Sequence, residues 1–343
     1  MSEEVDKILE VKNLDVRFYT YAGVVKAISN VSFYVKRGEV FCLVGETGCG
    51  KTVASRAMTR LISAPGKIEK GEVIYYRDGE KINLLELPEE ELNKIRGFEI
   101  AYIFQDPSAS LDPLYTTGYQ VVESIVAHND MSMKEAWKKA IDMLRLVLIP
   151  DPEARVKNYP HEMSGGMKQR IVISIALSNN PKVIIADEPT TNVDVTIQAQ
   201  LLDLLRKLRE KYGTTVILIT HNMGVVAEMA DRVAVMYAGK IIEVASVFEI
   251  FKNPAHPYTK GLLKAVPNPL IKIEKLVHIP GTVPNLVFPP PGCRFHTRCP
   301  YAKDICKAKE PPKVEINKEH YVYCWLYAEK EKKKEIVVKE AKS

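Results

Sequence analysis

The octapeptide Gly45-Glu-Thr-Gly-Cys-Gly-Lys-Thr52 decides the fold of this sequence. It matches the pattern G-x-x-x-x-G-K-[ST], in which glycines let backbone N–H groups turn inward and surround phosphate oxygens at the start of a helix. The continuous apolar run Val40–Val44 precedes it, and a stretch of helical character beginning at Val53 follows it. This order of strand, loop and helix is the context that a phosphate-binding loop requires, so it predicts a nucleotide-binding α/β fold.

The residues of this loop have distinct predicted roles. Lys51 supplies a positive charge to the β- and γ-phosphates, and the Thr52 hydroxyl is a ligand for Mg²⁺. A Gly-rich turn formed by chance would explain the glycines but not the flanking strand and helix. The residues that we expect to contact ATP here are Gly45, Glu46, Thr47, Gly48, Cys49, Gly50, Lys51, Thr52 and Val53.

Two further apolar runs mark strands that end in polar side chains. Val183–Ala186 is followed by Asp187 and Glu188, and Thr215–Thr220 is followed by His221. In parallel α/β sheets ligands bind at the carboxyl ends of the strands, so these side chains are candidates for a hydrolytic site. Asp187 suits the Mg²⁺ shell, and Glu188 suits a base that polarises the attacking water.

The wider pattern alternates strands and helices over residues 1–255. Residues 8–18 and 31–44 have strand character, and residues 198–212 have the apolar spacing of a helix that ends at Gly213. Continuous apolar strands indicate a sheet that is covered by helices on both faces. The sequence therefore predicts a doubly wound α/β nucleotide-binding domain.

Composition and charge exclude some classes of protein. The chain has 343 residues, of which 46% are hydrophobic and 27% charged, and its formal net charge is +5. This mild charge gives no reason to expect a nucleic-acid partner. No run approaches the roughly 20 apolar residues of a membrane span, and the first residues lack the pattern of a signal peptide. We therefore expect a cytoplasmic protein that reaches a membrane only through a partner.

The character of the sequence changes near residue 254, where prolines become frequent. Prolines break long helices and central strands, so we expect a connector that leads into a small cysteine-bearing module over residues 256–327. The remaining residues, 328–343, are mostly Lys and Glu and are typical of a solvated tail. The cysteines of the module are Cys293, Cys299, Cys306 and Cys324.

Further motifs carry a resemblance to a known family. Met163-Ser-Gly-Gly-Met-Lys-Gln-Arg170 resembles the signature sequence of ABC ATPases, and Gln105, residues 191–194 and His221 stand where that family has its glutamine loop, D-loop and switch histidine. The resemblance implies an ABC-type phosphate-loop fold with a helical subdomain over about residues 106–170. It also implies that four residues contact an ATP molecule held by the opposite subunit, namely Ser164, Gly165, Gly166 and Asp194.

The same resemblance implies roles at the subunit's own ATP. Gln105 joins Thr52 and Asp187 as a ligand for Mg²⁺, and His221 contacts the γ-phosphate. The residues implied in catalysis are therefore Lys51, Gln105, Glu188 and His221.

An aromatic residue before the phosphate loop stacks on adenine in this family. Phe18 and Tyr19 are the candidates, and the alternation of side chains along a strand leaves the choice between them open. The chain departs from the common family pattern at Met163, at Met167 and at Asn192-Val193. None of these changes removes the serine and glycine donors or the D-loop aspartate.

Three stretches narrow the resemblance to ATPase subunits of oligopeptide and dipeptide importers, with the D-type subunit the closer likeness. They are Phe104–Pro113, His256–Thr259 and Pro290–Pro300. The resemblance implies a peripheral subunit at the cytoplasmic face of the cell membrane. Its partners would be a second, homologous ATPase subunit, two transmembrane permease subunits and, indirectly, an extracellular solute-binding protein. The same branch includes importers of nickel and of oligosaccharides, so the solute stays open.

The four C-terminal cysteines leave several interpretations. Reducing conditions disfavour disulfides, and the short C-x₂₋₄-C pairs typical of zinc sites are absent. Subunits of the resembled branch are known to carry a [4Fe–4S] cluster, and four thiolates at wider spacing can ligate one. The resemblance therefore favours an iron–sulfur cluster, with zinc or free thiols as the alternatives.

Two other classes of function share these motifs. One is an ABC ATPase that acts in DNA repair or on ribosomes, and the other is a regulator that binds ATP without hydrolysing it. Proteins of the first class typically carry two ATPase cassettes or a long coiled coil, whereas this chain has one phosphate loop and no sustained heptads. The presence of Glu188 argues against the second class.

Overall fold

The computed structural model describes residues 6–190, 195–266 and 278–328. Asp194, with the rest of the predicted D-loop, and the tail from residue 329 onward lie outside these described residues. The strands are β1 (Lys7–Thr20), β2 (Gly23–Lys36), β3 (Val40–Val44), β4 (Gly66–Arg77), β5 (Glu80–Asn83), β6 (Ile100–Ile103), β7 (Val183–Asp187), β8 (Thr215–Thr220), β9 (Arg232–Tyr237), β10 (Lys240–Ser246), β11 (Lys313–Asn317) and β12 (His320–Tyr323).

Helices and strands alternate through most of the described chain. A short 3₁₀ turn, Pro160–Glu162, precedes the signature residues. The helices are α1 (Lys51–Met58), α2 (Glu89–Ile95), α3 (Pro107–Ser110), α4 (Thr117–Val126), α5 (Met133–Leu146), α6 (Pro152–Arg155), α7 (Gly165–Leu177), α8 (Val195–Tyr212), α9 (Met223–Met229), α10 (Val247–Lys252), α11 (Pro257–Lys264) and α12 (Asp304–Ala308).

The single strand predicted over residues 31–44 is wrong, because the structure divides it into β2 and β3. A tight turn separates the two strands, in which the Lys36 N–H donates to the Glu39 carboxylate at 2.7 Å. Gly38 lies in this turn at φ +70°, a backbone conformation that glycine adopts without a steric penalty. The apolar residues on both sides of the turn gave the sequence the character of one long strand.

The chain divides into two compact units. The first, which we call the glutamine-loop unit, comprises the residues up to Leu9, Val35–Val40 and Tyr75–Ile219. The second, the phosphate-loop unit, comprises Glu10–Tyr34, Phe41–Ile74 and the residues from Thr220 onward. The domain boundaries drawn from the sequence, including those of the helical subdomain, stay predictions.

In the phosphate-loop unit the strands follow the order β11, β12, β10, β9 and β3. Strand β3 is fully buried and runs parallel to β9, with Phe41 opposite Arg232. Strand β12 is antiparallel to β10, with Val322 opposite Glu243. The C-terminal strands therefore extend the sheet that carries the phosphate-loop strand, and a separate cysteine-bearing module is not supported.

In the glutamine-loop unit β6, β7 and β8 run parallel and in that order. Every residue of β7 is buried, and Val183 at its start lies opposite both Ile100 and Thr215. Parallel neighbours in register bring their carboxyl ends to one edge of the sheet. Asp187 and Glu188 therefore leave the sheet at that edge.

A buried carboxylate ties the C-terminal segments of the phosphate-loop unit together. Glu243 on β10 accepts hydrogen bonds from the N–H groups of Ala255 and His256 at 2.7 and 2.8 Å, and it lies 2.8 Å from Nε2 of His320. His256 is also buried, and its Nδ1 accepts the Tyr258 N–H at 3.1 Å. Burial lowers the pKa of His256 to about 4, so the ring is neutral at physiological pH.

We expect the stability of the chain to fall as the pH drops from about 6.5 towards 4. In this window the unfolded His256, whose ordinary pKa is 6.5, binds a proton that the folded ring excludes, so acid favours the unfolded state. His256→Asn keeps a side-chain acceptor for the Tyr258 N–H and should flatten this dependence. The measurement is the free energy of unfolding by denaturant at several pH values. The exposed His161→Asn is the control, and a dependence equally steep in both variants would contradict the assignment.

Candidate functional site

The phosphate loop connects β3 to α1, and close contacts with backbone determine its path. A Cβ on Gly45 would lie 2.2 Å from the carbonyl oxygen of Met236, which is inside any possible contact distance. Gly50 has φ +101°, and a Cβ there would lie 2.7 Å from the carbonyl oxygen of Ala27. Only glycine fits at these two positions, as a loop that turns its N–H groups towards phosphate oxygens requires.

Lys51 begins α1 and folds back over the loop. Its side chain is buried, and Nζ donates to the carbonyl oxygens of Gly45 at 2.8 Å and Glu46 at 3.1 Å. The ammonium group is therefore held at the centre of the loop, where a bound phosphate would meet it. This position suits the role that the sequence predicts for it.

Glu46 carries two contacts that the sequence analysis missed. Its N–H donates to the Tyr258 hydroxyl at 2.8 Å, and its carboxylate accepts two hydrogen bonds from Arg298 at 2.7 and 3.1 Å. Two motifs that mark the family branch, His256–Thr259 and Pro290–Pro300, contain Tyr258 and Arg298 and are the signal in the sequence for these contacts.

The other predicted ATP contacts surround this core of the loop. Thr47 and Gly48 are exposed, and Thr52 and Val53 are half-buried on the first turn of α1. Cys49 is buried, and this burial raises the pKa of its thiol. A protonated, enclosed thiol packs as a small apolar side chain.

The two candidates for adenine stacking occupy different surroundings on β1. Phe18 is half-buried, and its ring lies against the backbone of Gly66. Tyr19 is 50% exposed, and its hydroxyl donates to Glu69 at 2.8 Å. Adenine stacking by one of them stays a prediction.

His221 follows β8 and immediately precedes Asn222, the N-cap residue of α9. Its side chain is exposed, and the next residue, Asn222, accepts the N–H groups of Gly224 and Val225 at 2.9 and 3.4 Å to cap α9. The cap holds the backbone that carries His221 and leaves the histidine at the surface.

In the glutamine-loop unit the structure brings together the predicted glutamine and glutamate. Nε2 of Gln105 donates to the Glu188 carboxylate at 3.0 Å. The hydroxyl of Tyr102 donates to the Asp187 carboxylate at 3.1 Å. The sequence analysis missed Tyr102, although its place on β6 close to Gln105 could have suggested the contact.

The backbone of Glu188 has an unusual conformation. It has φ +45°, the left-handed region that costs an L-residue about 1 kcal/mol or more. Its N–H donates to the carbonyl oxygen of Ile219 at 2.9 Å, which fixes the residue at the end of β7. Such strain is typical of functional positions, and here it turns the carboxylate out of the strand direction and towards Gln105.

The signature residues form the exposed N-terminus of α7. Ser164 is the N-cap, and its hydroxyl accepts the Met167 N–H at 3.3 Å. A Cβ on Gly165 would meet nothing within 4 Å, and one on Gly166 would come only to 3.8 Å from Ile197. Nothing described in this chain therefore requires glycine at these positions, so they leave open space in front of a helix N-terminus.

The predicted iron–sulfur cluster is wrong. The described residues include Cys293, Cys299, Cys306 and Cys324, yet among them no three Cys, His, Asp or Glu side chains are grouped so that they could hold a metal ion. The cysteines are free. Burial raises the pKa of Cys293 to about 11 and that of Cys324 to about 12, so both free side chains are thiols at neutral pH.

Comparison with known families agrees with this geometry. The profile of the family described as "ABC transporter" matches residues 28–191, and the profile described as "Oligopeptide/dipeptide transporter, C-terminal region" matches residues 242–306. None of the helices in the described part of the chain has both the length and the apolar character needed to span a bilayer.

Curated relatives cover nearly the whole chain. The dipeptide transport ATP-binding protein DppD of Lactococcus lactis is 48% identical over 95% of this chain and 92% of its own length. The oligopeptide transport ATP-binding protein OppD of Bacillus subtilis is 49% identical over 94% of this chain and 89% of its own.

A solved structure shares the fold. The ATP-binding cassette MJ0796, in a dimeric post-hydrolysis state bound to ADP and Pi, aligns with a TM-score of 0.63 and 29% identity. The alignment covers 70% of this chain and 98% of that one.

The loop, the strand-end acids and these similarities together define an ABC-type phosphate-loop ATPase with mixed sheets and helices. Identity of this extent with the curated relatives also fixes the branch. The chain belongs to the ATP-binding subunits of the oligopeptide and dipeptide ABC transporter family.

We expect Gly50→Ala to raise the dissociation constant for ATP by at least about tenfold. The added Cβ would meet the Ala27 carbonyl oxygen at 2.7 Å and push the loop out of shape. Gly79→Ala is the matched control, since Gly79 also has a positive φ, of +92°, but a Cβ there would meet nothing within 4 Å. Binding is measured by titration with ATP. Equal losses in both variants would show that general strain, and not the loop contact, is responsible.

Proposed function

We propose that this chain binds Mg²⁺ and ATP at the phosphate loop and hydrolyses ATP to power the import of oligopeptides or dipeptides. The observation that carries the hydrolytic part is the hydrogen bond between Gln105 and Glu188. A buried carboxylate at the end of a strand, oriented by an amide, is suited to hold and polarise a water molecule. The names of the relatives support the peptide class of solute.

The side chains present suit a bound Mg²⁺. Thr52, Gln105 and Asp187 offer a hydroxyl, an amide carbonyl and a carboxylate, and hard cations such as Mg²⁺ prefer oxygen donors. Mg²⁺ binding of this kind needs few protein ligands, because phosphate oxygens and water complete the shell. When bound, the ion neutralises charge on the phosphates.

The remaining roles follow from charge and hydrogen-bonding capacity. Lys51 has three N–H donors, two of which contact the carbonyl oxygens of Gly45 and Glu46, and it also donates to phosphate oxygens. Glu188 orients the attacking water and takes up its proton, while Gln105 holds the carboxylate in position. His221 is the proposed donor to the γ-phosphate, and either Phe18 or Tyr19 stacks on adenine.

We infer that the signature residues act on a nucleotide held by another subunit. Ser164 is exposed at the N-terminus of α7, a helix of 13 residues, where N–H groups attract anions. The empty space around Gly165 gives an approaching phosphate access to the backbone. Asp194, in the D-loop, is the proposed contact across the same interface, and the dimeric state of the structurally similar cassette supports such an arrangement.

The proposed partners are those of a complete importer. They are a second, homologous ATPase subunit, two transmembrane permease subunits and, indirectly, an extracellular solute-binding protein, with this chain bound peripherally at the cytoplasmic face of the cell membrane. The family match over residues 242–306 supports this branch, since it is described for oligopeptide and dipeptide transporters. Uptake assays with the assembled transporter would separate peptides from the alternative solutes, nickel and oligosaccharides.

We expect Glu188→Gln to bind ATP nearly as wild type while its hydrolysis rate falls by about two orders of magnitude or more. The amide keeps the shape and an oxygen that accepts from Gln105, but it cannot take up the proton of the attacking water. Phosphate release and ATP titration are measured in parallel. Glu123→Gln, at an exposed position of α4, is the control. Wild-type turnover in Glu188→Gln would refute the assigned role.

We expect Ser164→Arg to abolish hydrolysis by the assembled transporter without changing the ATP affinity of the isolated monomer. The bulky side chain would fill the open space at the start of α7, which the monomer's own nucleotide does not use. Lys51→Ala is the contrasting variant, because it should weaken ATP binding to the monomer itself. If both variants lose affinity to the same extent, Ser164 belongs to the monomer's own site and the dimer proposal is wrong.

A further inference from the structure

We propose that the C-terminal region clamps the phosphate loop through Glu46, with Arg298 and Tyr258 acting as positioning residues for nucleotide binding. The proposal rests on the proposed function in one respect, since it requires the loop to bind ATP. It adds that distant residues of the same chain set the affinity of the loop for ATP. Arg298 lies 252 positions after Glu46 in the sequence, and Tyr258 lies 212 positions after it.

Arg298 has an acceptor for each of its five N–H donors. Nε donates to the Pro280 carbonyl oxygen at 2.8 Å. One terminal nitrogen donates to Glu46 at 2.7 Å and to the Tyr237 hydroxyl at 3.4 Å. The other donates to Glu46 and to the Ile279 carbonyl oxygen, both at 3.1 Å. The Arg298 side chain is 4% exposed and the Glu46 side chain 30% exposed, so water and salt reach this bidentate ion pair only from the glutamate side.

Every polar group of Glu46 is held by another residue. Its carboxylate is bound by Arg298, its N–H by the Tyr258 hydroxyl, and its carbonyl oxygen accepts Nζ of Lys51 at 3.1 Å. One residue of the loop therefore connects the C-terminal region to the lysine that meets the phosphates. If the contact of Glu46 with Arg298 or with Tyr258 is lost, the Glu46 carbonyl group that positions Lys51 becomes mobile.

The anchor on the C-terminal side is rigid. Tyr237, Tyr258 and Phe295 pack ring against ring, with centroid distances between 4.7 and 5.4 Å. All three are almost completely buried, and burial raises the pKa of Tyr258, so its hydroxyl stays uncharged. Because Tyr258 lies on α11 and Phe295 lies close to Arg298 in the following segment, two parts of the C-terminal region meet at Glu46.

The test compares dissociation constants for ATP and ADP in wild type, Arg298→Ala, Glu46→Ala and the double variant. We expect each single variant to raise both constants about tenfold, because both nucleotides carry the β-phosphate that the loop surrounds. The double variant should be no weaker than the worse single one, since either change breaks the same pair. In Arg298→Ala, which lies outside the loop, the catalytic rate at saturating ATP should change by less than about threefold, which separates positioning from general damage.

Three further variants sharpen the result. Arg298→Lys keeps the positive charge but loses the paired N–H donors that bind both carboxylate oxygens. Its affinity for ATP should therefore lie between those of Arg298→Ala and wild type. Tyr258→Phe removes a single hydroxyl from an intact ring cluster and should raise the dissociation constants for ATP and ADP about threefold. This variant tests the clamp if Arg298→Ala fails to fold. Lys307→Ala breaks an exposed ion pair with Asp304 in the same region and should bind as wild type.

Two results would overturn the clamp. The first is a loss of ATP affinity in the double variant that equals the sum of the losses in Arg298→Ala and Glu46→Ala. The second is wild-type ATP affinity in both Arg298→Ala and Tyr258→Phe. Either result, obtained while Lys51→Ala still loses ATP binding, leaves the proposed function intact. Wild-type ATP binding in Lys51→Ala would instead overturn the proposed function itself.

Discussion

The phosphate loop can surround a phosphate only if its backbone keeps one shape, and the structure meets this requirement with backbone contacts. The Met236 and Ala27 carbonyl oxygens leave no room for side chains at Gly45 and Gly50. The Gly239 N–H donates to the Cys49 carbonyl oxygen at 2.8 Å and holds the loop at a further position. These contacts come from β2, from β9 and from the turn after β9, so several segments of the phosphate-loop unit together hold the loop in its shape.

The hydrolytic residues depend on a different constraint, the end of a buried strand. Strand β7 is apolar throughout until Asp187, so the chain carries a charge only where the sheet stops. The left-handed backbone at Glu188 and the hydrogen bond from Gln105 then fix the direction of one carboxylate. Pre-set geometry of this kind lets a side chain meet developing charge without rearranging first. The acid pair and the phosphate loop thus use the same device, which is a rigid strand that ends in a functional residue.

Local sequence patterns predicted the parts of the molecule whose causes are local. The phosphate loop, the strand before Asp187 and the helix that ends at Gly213 each follow from neighbouring residues, and the structure contains all three. The contact between Arg298 and Glu46 joins residues 252 positions apart, and no local pattern reveals it. The predicted cluster failed for a related reason, because the spacing of cysteines along the chain does not show whether the folded chain groups them as metal ligands, and among the described residues it does not. The four-residue turn at Gly38 was hidden by the apolar residues around it.

The central claim is that the loop over residues 45–52 is formed before nucleotide binds and that it recognises phosphates. Amide hydrogen exchange of the loop, followed with ATP, with AMP and without nucleotide, tests this claim most directly. We expect the Glu46 amide, which is bonded to Tyr258, to be protected already in the free chain. ATP should then slow exchange across the rest of the loop, whereas AMP, which lacks the β- and γ-phosphates, should not. A loop that exchanges freely without nucleotide, or that AMP protects as well as ATP, would contradict the account.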